Sequence, residues 1–318
     1  MTSTGTNGRR IAAALIASAA AVSMAACSSS TKTSGSNPLA AAPKASATAG
    51  GPVVIGGNNF PESTLLADIY GGALKAKGVT VSYKYQIGSR EISYGLLKNG
   101  TITVMPEYNG ALLAFLDQAA VPTSTDDTDT QLSAKLASNL TLLNPSPAED
   151  KDSLTVNAET AAKYNLTASS KISDLSKIAG DLVLGAAPEF QTRKEGLVGL
   201  KSVYGLTFKS FKALDAGGPL TEGALGKNSI QVGDIFTTDS TISAKKWITL
   251  QDDKGLFGYQ NVIPVAQKGA LSQAGIDALN AVSAKLDTPT LLDLDTKIGN
   301  GTDPAAAATA WLQSVGLG

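Results

Sequence analysis

The chain has 318 residues, with 26 Lys and Arg against 27 Asp and Glu, a single Cys and no His. Lack of histidine excludes Ser-His-Asp and Cys-His catalysis and His-ligated zinc, and one cysteine excludes an intrachain disulfide, a CxxC redox pair and a zinc ribbon. A formal charge of −1 argues against a nucleic-acid groove, which needs clustered Lys and Arg, while 43% hydrophobic and 17% charged residues is globular composition.

Residues 1–10 are polar and carry Arg9 and Arg10, residues 11–26 are small and apolar, and Cys27 follows at once. A basic start, an apolar run and small residues before a cut describe a secretory signal over 1–26. The run is too short to cross a membrane, which takes about 20 residues. Cys27 behind Met24-Ala25-Ala26 resembles a bacterial lipobox, whose cysteine is diacylated and leads the mature protein; two acyl chains give stable anchoring. A plain secretory signal is the alternative. Residues 28–51 are rich in Ser, Ala, Thr, Gly and Pro and have no periodicity, so 27–51 reads as a lipidated Cys followed by a flexible tether.

The folded body begins at residue 52. PVVIGG (52–57) predicts a buried strand, and Leu65, Leu66, Ile69 and Leu74 give the next stretch one apolar helical face that stops at Gly78. VTVSYKYQI (79–87) alternates with period two, as a strand does. A helix near 90–98, the strand ITVMPEY (102–108) and a helix from Asn109 follow. Strand and helix alternating over short connections argue a parallel α/β sheet. PTSTDDTDT (122–130) reads as a polar loop opening a second set of elements, with helices near 130–139, 158–164 and 194–204 and strands near 141–147, 153–157, 182–187 and 231–236. WITL (247–250) and NVIPVAQ (261–267) return to strand texture, and helical runs near 270–285, 288–297 and 304–315 finish the chain.

The economical architecture is an α/β fold of two lobes crossed twice by the chain. Residues 52–109 and 240–318 form lobe one, and 110–239 form lobe two. Ligands of such folds sit at the carboxyl ends of strands and between domains. That places the loops after residues 57, 108, 187 and 236 around one cleft.

Several strings resemble the glycine betaine/choline-binding proteins of osmoprotectant ABC transporters. They are IGGNNFPES (55–63), GSREISYGLLKNG (88–100) with ITVMPEYNGALL (102–113), APEFQTRKEGLVGLKSVYGLTF (187–208), VGDIFTTDSTI (232–242) and QDDKGLFGYQNVIPV (251–265). Their order matches the family's across nearly all of 52–318. The resemblance implies a two-lobed periplasmic-binding-protein fold, type II-like, closing on a quaternary ammonium compatible solute. It also implies a permease and an ATPase as separate chains, an extracytoplasmic location on the membrane through the lipid anchor, a monomer, and no cofactor or metal.

A quaternary ammonium has no N–H to donate, so it is held by aromatic faces, each contributing roughly 0.5–2 kcal/mol. A ligand carboxylate wants Arg, Lys or backbone N–H donors. By the resemblance, Tyr108 of PEY and Tyr259 of GYQ are cage walls, and Phe236 stands where the family has a cage tyrosine. Arg193 matches the arginine that grips a ligand carboxylate. Asp152 matches a residue beside the ligand's positive end, and Asn58 stands just after the first strand where the family often has Lys or Gln. From the residues alone, each is as well read as packing or solvated surface. Tyr94 and Phe190 are adjacent candidates for core positions; Tyr83, Tyr85, Tyr164, Tyr204, Trp247 and Trp311 read as packing. Ala111 and Leu154 replace a family hydroxyl and a family aromatic, which leaves glycine betaine, choline and bulkier betaines all open.

Three functions compete: a solute-binding component of an importer, a carboxylate-dependent surface hydrolase, and a structural lipoprotein. No Walker A string occurs, so the chain cannot itself power transport. No GxSxG elbow or metal cluster marks an enzyme, and no carboxylate pair stands out. The first function is the expectation, with a different small polar solute on the same fold as its alternative.

Overall fold

The computed structural model describes residues 51–318. The signal, Cys27 and tether expectations lie outside them, apart from residue 51. In chain order the elements are β1 (Val53–Gly56), α1 (Pro61–Ala76), β2 (Val81–Lys84), α2 (Arg90–Asn99), β3 (Val104–Tyr108), α3 (Asn109–Leu116), α4 (Thr125–Lys135) and β4 (Leu140–Leu142). Next come β5 (Leu154–Val156), α5 (Ala158–Tyr164), β6 (Val183–Ala186), α6 (Gly199–Tyr204), β7 (Ser210–Ala213), α7 (Pro219–Gly226), β8 (Val232–Asp234), α8 (Thr241–Ala244) and β9 (Ile248–Thr249). β10 (Val262–Gln267), α9 (Gln273–Ser283), α10 (Thr288–Gly299) and α11 (Pro304–Ser314) close the chain.

Two five-stranded sheets result, ordered β2-β1-β3-β10-β4 and β7-β6-β8-β5-β9. β1 pairs in parallel with β2 and β3, as strand-helix-strand connections require, whereas β10 runs antiparallel to both β3 and β4. In the second sheet β6 is parallel to β7 and β8, and β5 is antiparallel to β8 and β9. Both sheets are therefore mixed. The first is covered by α1, α9, α10 and α11 on one face, through Leu65, Ile69, Leu279, Leu291 and Leu312, and by α2, α3 and α4 on the other, through Leu97, Leu112 and Leu132. The second packs a core of Leu154, Leu184, Leu200 and Phe257 on one side and of Leu225, Ile230 and Trp247 on the other.

The sheets move both lobe boundaries. The sequence places the first crossing after residue 109, but α3, α4 and β4 belong to the first lobe, because Leu112, Leu113 and Leu132 bury against Leu97 and Met105. It places the second crossing after residue 239, but β9 joins the second sheet, and Leu250, Leu256 and Phe257 lie in its core. The chain crosses instead near 149–150 and 258–260. There the two segments touch: Glu149 bridges Asn261, and the Asp150 N–H donates to the Gln260 carbonyl at 3.2 Å. The polar stretch 122–130 is also not all loop. Ser124 caps α4 by accepting from the Asp127 N–H, and Asp126 and Asp127 sit in the first turn, where the helix dipole favours negative charge.

Candidate functional site

Strand ends build the site. β1, β3, β6 and β8 all point their carboxyl ends at one interlobe cleft, as ligand sites in α/β sheets do. The loops after them contribute Asn58 and Phe60, Tyr108 and Ala111, Ala187 and Phe190, and Phe236. The four loops expected at a common cleft thus all reach it. Phe60 occupies the cap position of α1, held there because Pro61 starts the helix and Ser63 Oγ accepts from the Asn58 N–H at 2.8 Å.

The aromatic residues form a cluster. The Phe60 ring lies 5.2 Å from that of Phe236 and 6.2 Å from that of Tyr108, both tilted. Phe190 lines the same space. Gly217 has φ +62, and a Cβ there would meet the Phe236 ring at 2.8 Å, so this glycine lets the second lobe's loop pass behind the ring. Tyr108 is buried, and its hydroxyl donates to Glu62.

Of the residues singled out from sequence, Asn58, Tyr108, Asp152, Arg193 and Phe236 line the cleft. Tyr259 does not. Its hydroxyl donates to the Thr123 carbonyl at 2.8 Å on the outer side of the crossing, and Gln260, one residue on, faces the cleft. The backbone explains this: the Tyr259 carbonyl presses on α3 so closely that a Cβ at Gly110 would lie 2.0 Å from it. Phe60, Phe190, Gln260 and Asp234 also line it, as do Arg90 and Asp150. Phe60 was legible as part of a cleft-facing loop; nothing in the spacing marks Asp234.

The hydrogen-bonding inventory is lopsided. Arg193 donates to Glu91 of the opposite lobe through Nε at 3.0 Å and Nη2 at 2.9 Å, with Glu189 at 3.8 Å beside it. Arg90 is buried and donates to Glu107 through Nε and Nη2, the closest at 2.9 Å. Gln260 Nε2 is shared between Glu195 Oε1 at 2.9 Å and the Phe257 carbonyl at 2.8 Å. Arg90, Arg193 and Gln260 are thus each already engaged by a carboxylate. Acceptors, by contrast, are left over: Asn58 Oδ1 and Asp234 Oδ1 are buried with no donor. Burial and the neighbouring Asp152 raise the Asp234 carboxyl well above its usual range, and burial also raises Asp152 against the pull of Arg193 and Arg90. Burial, then Glu62, raises Asp150. The cleft is short of positive charge and rich in acceptors.

Residues 51–314 match the family described as the substrate binding domain of ABC-type glycine betaine transport systems. The chain belongs to this family. Among similar proteins are the glycine betaine-binding protein YehZ of Escherichia coli (strain K12), 27% identical over 281 residues, covering 84% of this chain and 92% of that one. Another is a glycine-betaine-binding protein of Pseudomonas aeruginosa, 25% identical, covering 77% of this chain and 81% of that one. A crystal structure of a glycine betaine/carnitine/choline ABC transporter component aligns with TM-score 0.64 at 24% identity, covering 83% of this chain and 99% of that one. A choline-binding protein in complex with choline aligns with TM-score 0.58 at 18% identity, covering 83% and 88%. As a member it is a substrate-binding domain of the ABC-type glycine betaine transport class, a class that works outside the cytoplasm, and its fold is the two-lobed α/β fold of the solved structures. Among the described residues, no helix is long and apolar enough to cross a membrane.

Proposed function

We propose that this binding protein captures a small cation with a quaternary ammonium head and a hydrogen-bond donor on its tail, of the choline type, and hands it to a membrane permease driven by a separate ATPase. The reading rests on the donor and acceptor inventory of the cleft. Phe60, Tyr108, Phe190 and Phe236 offer aromatic faces to a methylated ammonium, which a hydration-poor cation prefers. The acidic lining of Asp150, Asp152 and Asp234 complements its charge, and Asn58 Oδ1 and Asp234 Oδ1 are buried acceptors without a donor. A ligand carboxylate would meet acidic walls and an Arg193 already neutralised by Glu91 and Glu189. The names of the bacterial relatives favour the other reading, a zwitterionic betaine, which would require Arg193 to let go of Glu91.

The cleft holds only about 50 Å³ of free volume, so the lobes must part to admit a solute and close again around it. Residues 1–26 serve as a signal, and Cys27 anchors a monomer to the outer face of the membrane by acyl chains. Cys27→Ala is expected to release the protein from the membrane fraction. Isothermal titration of the full chain decides between the two ligands: choline is expected to bind at least tenfold more tightly than glycine betaine. The reverse order would overturn the choline reading and leave a betaine receptor.

A further inference from the structure

The aromatic cleft does not end at its own lining. Arg90, Ala111, Asp152 and Arg193 line it and also line an adjoining interlobe cavity of about 250 Å³, against about 50 Å³ of free space in the cleft itself. The two spaces therefore share a junction, and Ala111 has no side chain beyond its Cβ to close it. Helix α3 gives the adjoining cavity an apolar floor. Ala111, Ala114 and Phe115 stand three and four residues apart, which brings them to one helical face, while Leu112 and Leu113 turn into the core.

The rest of the wall is polar and nearly balanced in charge. Arg90 is paired with Glu107 and Arg193 with Glu91, so neither guanidinium needs an anion from elsewhere. Each still has a donor to give. Nε and Nη2 are spent on those carboxylates, and among the described residues neither Nη1 has an acceptor. Lys194 of the second lobe reaches across to the Ala120 carbonyl of the first, and Asp152 lines the same wall with the opposite charge. Donors left over beside charges already compensated call for a neutral acceptor, and a carbonyl oxygen is one.

From this geometry we infer that the adjoining cavity is a tail subsite, and that the protein takes quaternary ammonium compounds whose tail runs through an amide into a short acyl chain. The inference rests on the quaternary ammonium reading of the cleft and extends it. The head stays among the aromatic rings. The amide carbonyl accepts from the arginine Nη1 groups at the junction, and the acyl chain lies along the Ala111, Ala114 and Phe115 face, where each methylene removed from water adds affinity. An amide also keeps a donor on the tail for the buried Asn58 Oδ1, which an ester would lose.

Calorimetric titration of the full chain with four probes tests this: choline, its 2-acetamidoethyl and 2-butanoylaminoethyl trimethylammonium analogues, and the butyl ether of choline. The butanoyl compound is expected to bind about threefold or more tighter than the acetyl one, through the added methylenes. It is expected to exceed the butyl ether, of equal length without the carbonyl and N–H, by a similar factor. Ala114→Leu fills the adjoining cavity and not the cleft, so it is expected to abolish the gain from acetyl to butanoyl and leave choline affinity unchanged. Should that variant fail to fold, Thr192→Trp on the exposed opposite wall is expected to do the same. Equal affinity for the two amides, an ether that binds as well as the butanoyl amide, or a gain that survives the folded variant would each overturn the inference. With choline still bound, those results leave the reading of the cleft standing. Binding of none of the four probes would instead reject that reading, and the tail subsite with it.

Discussion

Tyr108 does two jobs with two parts of one side chain. Its ring is a wall of the cleft, and its hydroxyl supplies a donor to the buried Glu62. Tyr108→Phe keeps the face and removes the donor. It is expected to lower stability by about 1–3 kcal/mol, the cost of a buried acceptor left alone, and to change choline affinity only slightly. Tyr108→Ala removes the face and is expected to weaken choline binding about tenfold, within the range of one desolvated cation–π contact. Calorimetric titration with thermal unfolding on the same samples separates the effects; equal affinity loss in both variants would contradict the division. Arg193 and Glu91 test selectivity. Glu91→Gln frees one partner of Arg193, so glycine betaine is expected to gain affinity relative to choline, and a titration showing no change in their ratio would remove Arg193 from ligand choice. Only part of this was legible in the sequence. The PEY, EFxxR and DIF strings led to Tyr108, Arg193 and Phe236, but the matching GYQ string led to Tyr259, one residue short of the cleft-facing Gln260. In an extended segment a shift of one residue turns a side chain to the opposite face.

At the scale of elements, two glycines hold the ligand loops where they are. Gly217 has φ +62 and lies against the Phe236 ring, so Gly217→Ala is both strained and crowded. Gly110 opens α3 against the Tyr259 carbonyl, where any Cβ would lie 2.0 Å from backbone. Gly110→Ala is expected to cost more than about 2 kcal/mol, since neither helix nor crossing segment can yield without moving the hinge. Gly217→Ala is expected to fold and to bind choline several-fold more weakly. Denaturant unfolding and titration check both, and wild-type behaviour in either would show the loops more compliant than their packing implies. Most elements were readable because pattern and punctuation agreed. Ile55 and Val53 flanked by glycines gave β1, and the apolar stripe of α1 ran into Gly78 at φ +78. β7 and α7 went unread, as β7 is a largely exposed edge strand and α7 is short and glycine-bearing. The crossing points were misplaced for a similar reason: β4 and β9, the strands that decide them, have three and two residues.

Over the whole molecule the decisive feature is a band of carboxyl groups between the lobes, which no spacing in the sequence betrays because Glu62, Asp150, Asp234 and Asp295 come from four distant segments. All are raised by burial first. Asp295 reaches about 7 and Glu195, with Asp152 next to it, about 8, while Glu62, Asp150 and Asp234 lie well above the carboxylate range. A carboxyl whose pKa is raised on folding holds its proton more tightly in the native state than in the unfolded chain, where it is lost near pH 4. Its contribution is complete below that value and disappears as the pH rises through the native pKa. The linkage therefore runs downhill from about pH 5 to pH 8, and each group still holding its proton contributes a slope of about 1.4 kcal/mol per pH unit. Opposing groups such as Glu91, lowered to about 2 by the hydrogen bonds and charge of Arg193 despite partial burial, act below this window and leave its sign unchanged. The apo protein is expected to melt several degrees higher at pH 6 than at pH 8.5. A cation in the cleft favours the ionised carboxylates, so it reverses the trend: choline binding is expected to release protons and to tighten as the pH rises from 6 to 8. Calorimetry in two buffers of different ionisation enthalpy at pH 7 measures the protons directly. Proton uptake, or a choline-bound form whose melting temperature falls as steeply with pH as that of the apo form, would show that the acidic band does not face the ligand.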